Sequence, residues 1–128
     1  FAPCALGAAL NDDTIPRLRC SIVAGAANNQ LATEADADRL ADAGILYAPD
    51  FVVNAGGIIN ITEELHGYSW ERAAVALDLV GDNLTRVLDA ADEEGVNPNV
   101  AAIALAQKRM VAIGGLGTRR RAGRSPAT

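Results

Sequence analysis

The 128-residue sequence predicts an α/β fold in which a parallel sheet is followed by helices alone. Two observations favour this class. Short apolar segments alternate with helix-like segments up to about residue 64, which is the order that parallel strands with helical crossovers produce. From residue 69 onward the apolar residues recur three and four positions apart, which is the period of an α-helix.

Three short apolar segments are the predicted strands. Phe1–Cys4 is the end of one strand, Cys20–Ala24 is the second strand and Ile45–Ala48 is the third. A turn of small residues, Ala5–Ala8, follows the first segment, and Pro16 limits the next stretch to a short helical turn or loop. We expect the three strands to end at the same edge of one sheet.

Two helices are predicted among these strands. Thr33 is a favourable N-cap for a helix that runs to Ala43, and Gly44 is a favourable stop. Asp50 is a favourable N-cap for a helix that runs to about Glu64. Each helix directly precedes or follows a strand, as in a parallel α/β sheet.

Two longer helices follow. Ser69 begins the longest one, which ends at Gly95, and Asn97-Pro98 begins a last helix. This last helix is expected to reach about Ile113, because Gly114-Gly115 would stop it. The apolar stripe of the longest helix comprises Trp70, Ala73, Leu77, Val80, Leu84, Val87 and Ala91.

These elements divide the chain into three parts. Residues 1–68 form the second half of a Rossmann-like, doubly wound parallel sheet, and residues 69–116 form the C-terminal helices. Residues 117–128 are predicted to be a disordered tail, since they are rich in Arg, Gly, Ser and Pro and poor in large apolar side chains.

The composition excludes several classes of protein. Hydrophobic residues make up 50% of the chain, which is typical of a globular protein and argues against disorder. No apolar run reaches the roughly 18 residues of a membrane span, so we expect no membrane partner. The two cysteines have no CxxC spacing and fit reduced thiols, which favours a cytoplasmic location.

The charge distribution argues against nucleic acid as a partner. The formal net charge is −5, from 11 basic and 16 acidic residues. Four of the arginines lie in the predicted tail, so residues 1–117 carry 7 basic against 16 acidic residues, a net charge of −9. An acidic body repels polyanions, and we expect the basic tail to be solvated.

No metal site is predicted. Glu63, Glu64 and His66 lie close together in the sequence, but they lack the pair of histidines at i and i+4 that a helical zinc site needs. An exposed end of a helix is the better interpretation of these residues.

The loops that follow the predicted strands carry the first part of a candidate site. They are Ala2-Pro3-Cys4, Gly25–Asn29 and Ala48–Asp50, and all consist of small or polar residues. Because ligands bind at the carboxyl ends of strands in parallel α/β sheets, the convergence of these loops predicts a site at this edge.

Asn54, Ile58 and Ile61 form the second part. In one continuous helix they fall at i, i+4 and i+7 and therefore share a face. This face offers one amide and two branched apolar side chains, which suits a flat polar ring beside a small aliphatic group. Gly56 and Gly57 would each cost about 0.5–1 kcal/mol inside a helix, which predicts the close approach of a ligand to the backbone.

Three blocks of this sequence resemble the glutamate/leucine/phenylalanine/valine dehydrogenase family. They are Phe1–Gly7, Val23–Leu31 and Leu46–Gly57, and their order and spacing also match the family. The resemblance covers residues 1 to about 112. It is greatest for the leucine and valine dehydrogenase branch.

The resemblance implies an enzyme that oxidatively deaminates a branched-chain L-amino acid to the 2-oxo acid and ammonia, with NAD as the cofactor. It implies that Ala2, Pro3 and Cys4 line the cofactor cleft. Asn28 would contact both the substrate and the nicotinamide ribose, and Asn54 would hold the nicotinamide carboxamide.

The same resemblance implies that Ile58 and Ile61 shape the pocket for the substrate side chain. In the family, the catalytic lysines and aspartate and the glycine-rich pyrophosphate loop lie upstream of the segment that this chain matches. We therefore assign no catalytic residue, expect Lys108 to point to solvent, and expect the chain alone to be inactive. We also expect a homo-oligomer in the full-length enzyme.

Two alternatives stay open. The first is a fragment of a phenylalanine dehydrogenase, whereas glutamate would need a cationic partner that neither Ile58 nor Ile61 supplies. The second is a truncated, non-catalytic interaction module, because half of a doubly wound sheet exposes an unpaired edge. The sequence favours a fragment of a leucine or valine dehydrogenase over both.

Overall fold

A computed structural model describes the backbone of residues 1–122 and the side chains of residues 1–113. Its elements, in chain order, are a 3₁₀ turn (Ile15–Arg17), β1 (Ile22–Val23), α1 (Ala35–Asp42), β2 (Leu46–Tyr47), α2 (Asp50–Val53), α3 (Gly56–Leu65), α4 (Trp70–Glu94) and α5 (Pro98–Ala122). Among the helices of this part of the chain, none has the length and apolarity needed to cross a membrane.

The sheet is parallel, which confirms the predicted α/β class. Val23 of β1 lies opposite Tyr47 of β2. The segment before β1 extends the ladder, because the Ala24 N–H donates to the carbonyl of Phe1 (3.1 Å) and the Ala27 N–H donates to that of Pro3 (3.0 Å). The predicted first strand thus lies beside β1, but Pro3 has no N–H to donate and no regular strand forms there.

Within the described residues, one face of this sheet is covered and the other is exposed. Val23 and Tyr47 point into a buried cluster, whereas Ile22 and Leu46 alternate to the other face and are 52% and 41% exposed. A doubly wound sheet covers that second face with further helices. The buried cluster comprises Leu10, Ile15, Val23, Leu40, Ile45 and Tyr47.

The start of α1 differs in detail from the prediction. The helix begins at Ala35, and Thr33 donates rather than accepts, from its N–H (2.8 Å) and its hydroxyl (2.9 Å), to the Asp36 carboxylate. Burial alone would raise the pKa of Asp36, but the two bonds from Thr33 and the adjacent Arg39 guanidinium hold this pKa below its usual value. The Asp36 carboxylate therefore binds Thr33, the residue before the N-cap Glu34, whose own side chain makes no capping bond.

The predicted continuous helix from Asp50 to Glu64 is wrong, because α2 and α3 are separate helices. Asn54 ends α2 with φ −93° and ψ 40°, and α3 begins at Gly56. The two glycines thus lie in the first turn of α3 and not in a helix interior. Their low helix propensity, together with a side-chain hydrogen bond that Asn54 makes elsewhere, explains the break.

The helix α4 has the predicted ends. The Ser69 hydroxyl accepts the Arg72 N–H (3.3 Å), and Gly95 ends α4 in the left-handed region with φ 65°. Its apolar stripe is only partly buried. Its C-terminal half packs on α5, whereas Trp70 at its N-terminus is 65% exposed. The buried cluster between the two helices comprises Val87, Ala91, Ala101 and Ala102.

The last helix is longer than predicted. Asn97 begins α5 as expected, since its side-chain oxygen accepts the Val100 N–H (3.0 Å). The helix continues to Ala122, so the predicted stop at Gly114-Gly115 is wrong. Glycine weakens a helix without blocking it, unlike proline. Of the tail predicted to be disordered, residues 117–122 belong to α5, and residues 123–128 lie outside the described part.

Candidate functional site

The loops that follow the strand-like segments meet at one edge of the sheet, as the sequence predicts. The Pro3 carbonyl accepts the Ala27 N–H, and the Cys4 thiol accepts the Ala26 N–H at 3.5 Å. On the other side of the same loop, the Asn54 side chain bonds to Asn28. Hydrogen bonds therefore join the Ala2-Pro3-Cys4 loop to the Gly25–Asn29 loop, and join this second loop to Asn54 at the end of α2.

The contact between Asn28 and Asn54 is the centre of this edge. Asn54 Nδ2 donates to Asn28 Oδ1 at 2.6 Å, across 26 positions of sequence. Asn28 is exposed and Asn54 is half-buried, so a ligand can reach both. Within the described residues, Asn54 Oδ1 and Asn28 Nδ2 take part in no hydrogen bond. The pair therefore presents one acceptor and one donor group, which is the complement of a carboxamide.

Pro3 and Gly25 form the packed base of the edge. Pro3 is buried, whereas Ala2 and Cys4 beside it are exposed. A Cβ on Gly25 would lie 2.2 Å from the Pro3 carbonyl oxygen and 2.6 Å from the Pro3 nitrogen. Only glycine fits at position 25, and this close contact sets where the loop leaves β1.

Ile58 and Ile61 lie on α3 and are 71% and 60% exposed. Asn54 precedes the break between α2 and α3, so the argument that these three residues share one face of a single helix is wrong. The two isoleucines form an open apolar surface and not an enclosed pocket in the described part of the chain.

One residue of the site, Gln30, was not singled out from the sequence. Gln30 is completely buried, and its side-chain amide donates to the carbonyls of Gly25 (2.8 Å) and Ala27 (2.9 Å). Its backbone N–H donates to Asp50 Oδ2 at 2.8 Å, so the Asp50 carboxylate does not cap its own helix as predicted. The sequence signal for Gln30 was a long polar side chain at the point where the loop after β1 returns to the core.

Gln30 is also incompletely paired. Among the described residues, its Oε1 is buried and has no hydrogen-bond partner. An unpaired buried acceptor costs about 1–3 kcal/mol. The two bonds from Nε2 offset this cost, and they fix the shape of the loop that carries Asn28.

Tyr47 contacts the backbone at Asp50, because the Asp50 N–H donates to the Tyr47 hydroxyl at 3.3 Å. Burial raises the pKa of Tyr47 to about 12, so the hydroxyl stays neutral over the physiological range and remains an uncharged acceptor.

The residues present fit the amide end of a nicotinamide cofactor. The Asn28–Asn54 pair supplies the complementary polar groups. Beside it, a Cβ on Gly57 would meet no described atom within 4 Å, so the start of α3 is open to a ligand. No side chain of the described residues caps the first N–H groups of this helix.

Lys108 lies on another surface, where it pairs with Glu94 (3.3 Å) and is 68% exposed, as expected for a solvent-facing lysine.

The fold defines a chain of the Rossmann type, and this edge is a candidate ligand site at the carboxyl ends of its strands. Residues 1–114 match the model of the glutamate/leucine/phenylalanine/valine dehydrogenase family. The chain therefore belongs to this family of amino-acid dehydrogenases, as its sequence blocks indicated.

Individual relatives agree with this assignment. The chain is 44% identical over 113 residues to the leucine dehydrogenase of Bacillus cereus, covering 88% of this chain and 31% of that enzyme. It is 50% identical over 110 residues to the valine dehydrogenase of Streptomyces coelicolor, covering 86% of this chain and 30% of that enzyme. The chain thus spans about a third of the length of these relatives.

A solved structure shares the fold. The crystal structure of L-tryptophan dehydrogenase from Nostoc punctiforme superposes with a TM-score of 0.82 at 50% sequence identity, over 88% of this chain and 34% of that one. The parallel sheet with C-terminal helices is therefore the arrangement of an amino-acid dehydrogenase.

Proposed function

We propose that this chain is the part of an NAD-dependent amino-acid dehydrogenase that binds the nicotinamide end of the cofactor and forms one wall of the substrate pocket. The observation that carries the proposal is the Asn28–Asn54 hydrogen bond at the carboxyl edge of the parallel sheet. The family membership of residues 1–114 gives the class of reaction.

The chemistry of the edge supports nicotinamide as the ligand. Asn54 Oδ1 accepts a carboxamide N–H, and the Asn28 amide group donates to a carboxamide or ribose oxygen. Ala2, Pro3 and Cys4 form the adjoining wall of the cofactor cleft. When bound, NAD supplies the acceptor for the hydride removed from the amino acid.

The proposed substrate is a branched-chain L-amino acid, leucine or valine, which is converted to its 2-oxo acid and ammonia. Ile58 and Ile61 would provide the apolar wall of the pocket, because they are branched, rigid at χ1 and open to a ligand. The similarity to a leucine and a valine dehydrogenase is compatible with this choice.

An aromatic substrate is the alternative, and one observation favours it. The chain is as similar to an L-tryptophan dehydrogenase as to a valine dehydrogenase, at 50% identity each. Overall similarity therefore does not separate leucine or valine from phenylalanine or tryptophan. The choice between these substrates depends on the side chains that face the substrate.

We further propose that the complete enzyme is a cytoplasmic homo-oligomer. The open face of the sheet and the exposed apolar side chains of α3 offer surfaces for burial against other parts of such an assembly. Its mass in solution, measured by light scattering, tests this directly. A monomeric enzyme would contradict it.

A chimeric enzyme tests the function. Residues 1–113 replace the matching third of the Bacillus cereus leucine dehydrogenase, and NADH formation is measured with leucine, valine, phenylalanine and tryptophan. We expect activity with leucine or valine above the aromatic substrates. A folded chimera that reduces NAD with none of these amino acids would favour the non-catalytic interaction module.

The substitution Asn54→Ala in the chimera tests the site. A net hydrogen bond contributes about 0.5–1.5 kcal/mol, so we expect KM for NAD to rise about two- to tenfold at nearly unchanged Tm. Asn60→Ala is the matched control, because Asn60 is an exposed asparagine on α3 that bonds to Glu64 at 2.8 Å. Unchanged KM and kcat in Asn54→Ala would remove Asn54 from the site.

A further inference from the structure

We propose that Asp50 and Gln30 are positioning residues that hold Asn28 and Asn54 at hydrogen-bonding distance before any ligand binds. What this preorganisation serves rests on the proposed function. The preorganisation itself follows from four hydrogen bonds that involve neither of the two asparagine side chains.

The loop that carries Asn28 is held by the side chain of Gln30. Gln30 Nε2 donates to the carbonyls of Gly25 and Ala27, which closes the loop on a side chain with no exposed surface. The orientation of this amide is fixed, because the reverse orientation would place Oε1 against two carbonyl oxygens. The loop is thus held at Ala27, directly before Asn28, and at Gln30, two residues after it.

The turn between these residues makes the tie possible. Asn29 adopts a left-handed conformation with φ 51°, which asparagine tolerates better than most residues. Its carbonyl accepts the Ala8 N–H at 2.7 Å. The reversal at Asn29 lets Gln30 enter the core while Asn28 stays exposed.

Asp50 makes two hydrogen bonds, one toward the loop of Asn28 and one toward the end of α2. Its side-chain Oδ2 accepts the Gln30 N–H at 2.8 Å, two residues after Asn28. Its backbone carbonyl accepts the Asn54 N–H, also at 2.8 Å. One residue therefore connects the loop of Asn28 to the end of α2, and the distance between the two asparagine side chains depends on it.

The test uses NMR on the 128-residue chain with ¹⁵N-labelled asparagine side chains. In Asp50→Asn the acceptor for the Gln30 N–H loses its charge at almost unchanged volume. We expect the hydrogen-bonded Asn54 side-chain proton to exchange about two- to tenfold faster, because a charge-assisted hydrogen bond is replaced by a weaker neutral one. We also expect its resonance to move toward that of an exposed asparagine.

Asp36→Asn is the matched control. Asp36 is also a carboxylate at the start of a helix, and it accepts the Thr33 N–H at the same 2.8 Å. A general loss of stability would affect both variants, whereas positioning predicts a change at Asn54 only in Asp50→Asn. Equal changes in both variants, or none in Asp50→Asn, would overturn the proposal.

A second variant and a ligand complete the design. If Asp50→Asn fails to fold, Gln30→Met removes the two side-chain donors at similar length and is expected to give the same faster exchange at Asn54, and an unchanged rate would refute the positioning role. Addition of NAD to the wild-type chain should shift the Asn28 and Asn54 side-chain resonances. An absent shift counts against the proposed function, while the ligand-free comparison still decides the role of Asp50.

Discussion

At the scale of single residues, the candidate site depends on amides that are far apart in the sequence. Asn28 and Asn54 meet at 2.6 Å because each follows a strand of the same parallel sheet. The residues that support them are less conspicuous in the sequence, since the side chains of Gln30 and Asp50 bond to backbone groups. Substrate specificity, by contrast, is proposed to depend on exposed side chains of α3.

Ile58 gives a prediction about substrate preference. Because its side chain is 71% exposed, Ile58→Ala should change the stability of the chain by no more than about 0.5 kcal/mol. In the chimera it should raise kcat/KM for phenylalanine relative to valine. The shift should be partial, since a methylene in an apolar pocket is worth about 1–3 kcal/mol.

The ratio of kcat/KM values for the two amino acids measures this effect. Leu65→Ala is the control, because Leu65 is an equally exposed apolar residue near the end of the same helix. If Ile58→Ala leaves the ratio unchanged in a folded enzyme, Ile58 has no part in substrate choice.

At the scale of elements, the ends of helices and the exits of strands determine the geometry of the site. Local signals fix most ends, such as Ser69 and Gly95 at the two ends of α4. The break after Asn54 is different, because the Asn54 side chain bonds to a loop that lies 26 positions earlier. The exit from β1 likewise depends on the contact of Gly25 with Pro3.

The contact of Gly25 with Pro3 predicts a strong effect of Gly25→Ala. The new Cβ would lie 2.2 Å from the Pro3 carbonyl oxygen, so backbone must move. We expect the free energy of unfolding to fall by about 1–3 kcal/mol or more, as in overpacked cores. Thermal unfolding followed by circular dichroism measures the change.

Gly81→Ala is the control for this substitution. Gly81 lies within α4, and a Cβ there would meet no described atom within 4 Å. Since alanine favours a helix by about 0.5–1 kcal/mol over glycine, Gly81→Ala should be neutral or stabilising. Equal stabilities of the two variants would show that the Gly25 contact relaxes without cost.

At the scale of the whole molecule, the described residues form two buried clusters and leave extensive apolar surface exposed. One cluster lies beneath the sheet, and the other lies between α4 and α5. Ile22 and Leu46 on the second face of the sheet, and Ile58 and Ile61 on α3, remain exposed. The chain spans about a third of the length of these relatives.

We therefore predict that the purified 128-residue chain has no dehydrogenase activity. Family resemblance assigns the catalytic lysines and the pyrophosphate loop to segments upstream of this one. Lys108 does not replace them, since it pairs with Glu94 on an exposed surface. NADH production from leucine, valine or phenylalanine, with the active chimera as the positive control, would refute the prediction.

The sequence by itself determined the α/β class, the family, and the loops that meet at the site. These features depend on local patterns, namely the alternation of apolar segments with helices, capping residues such as Ser69, and small or polar residues after each strand. Such signals act between near neighbours in the chain, so they can be recognised without knowledge of the fold.

Only the tertiary structure decided the break between α2 and α3, the extension of α5 to Ala122 and the roles of Gln30 and Asp50. The isolated segment from Asp50 to Glu64 has a helical pattern throughout, but the hydrogen bond from Asn54 to Asn28 competes with a continuous helix. Likewise, Asp50 is a good N-cap by sequence, yet its carboxylate accepts the Gln30 N–H of a distant loop. Partners brought close by folding outweigh local preferences of about 1 kcal/mol, and no local pattern reveals them.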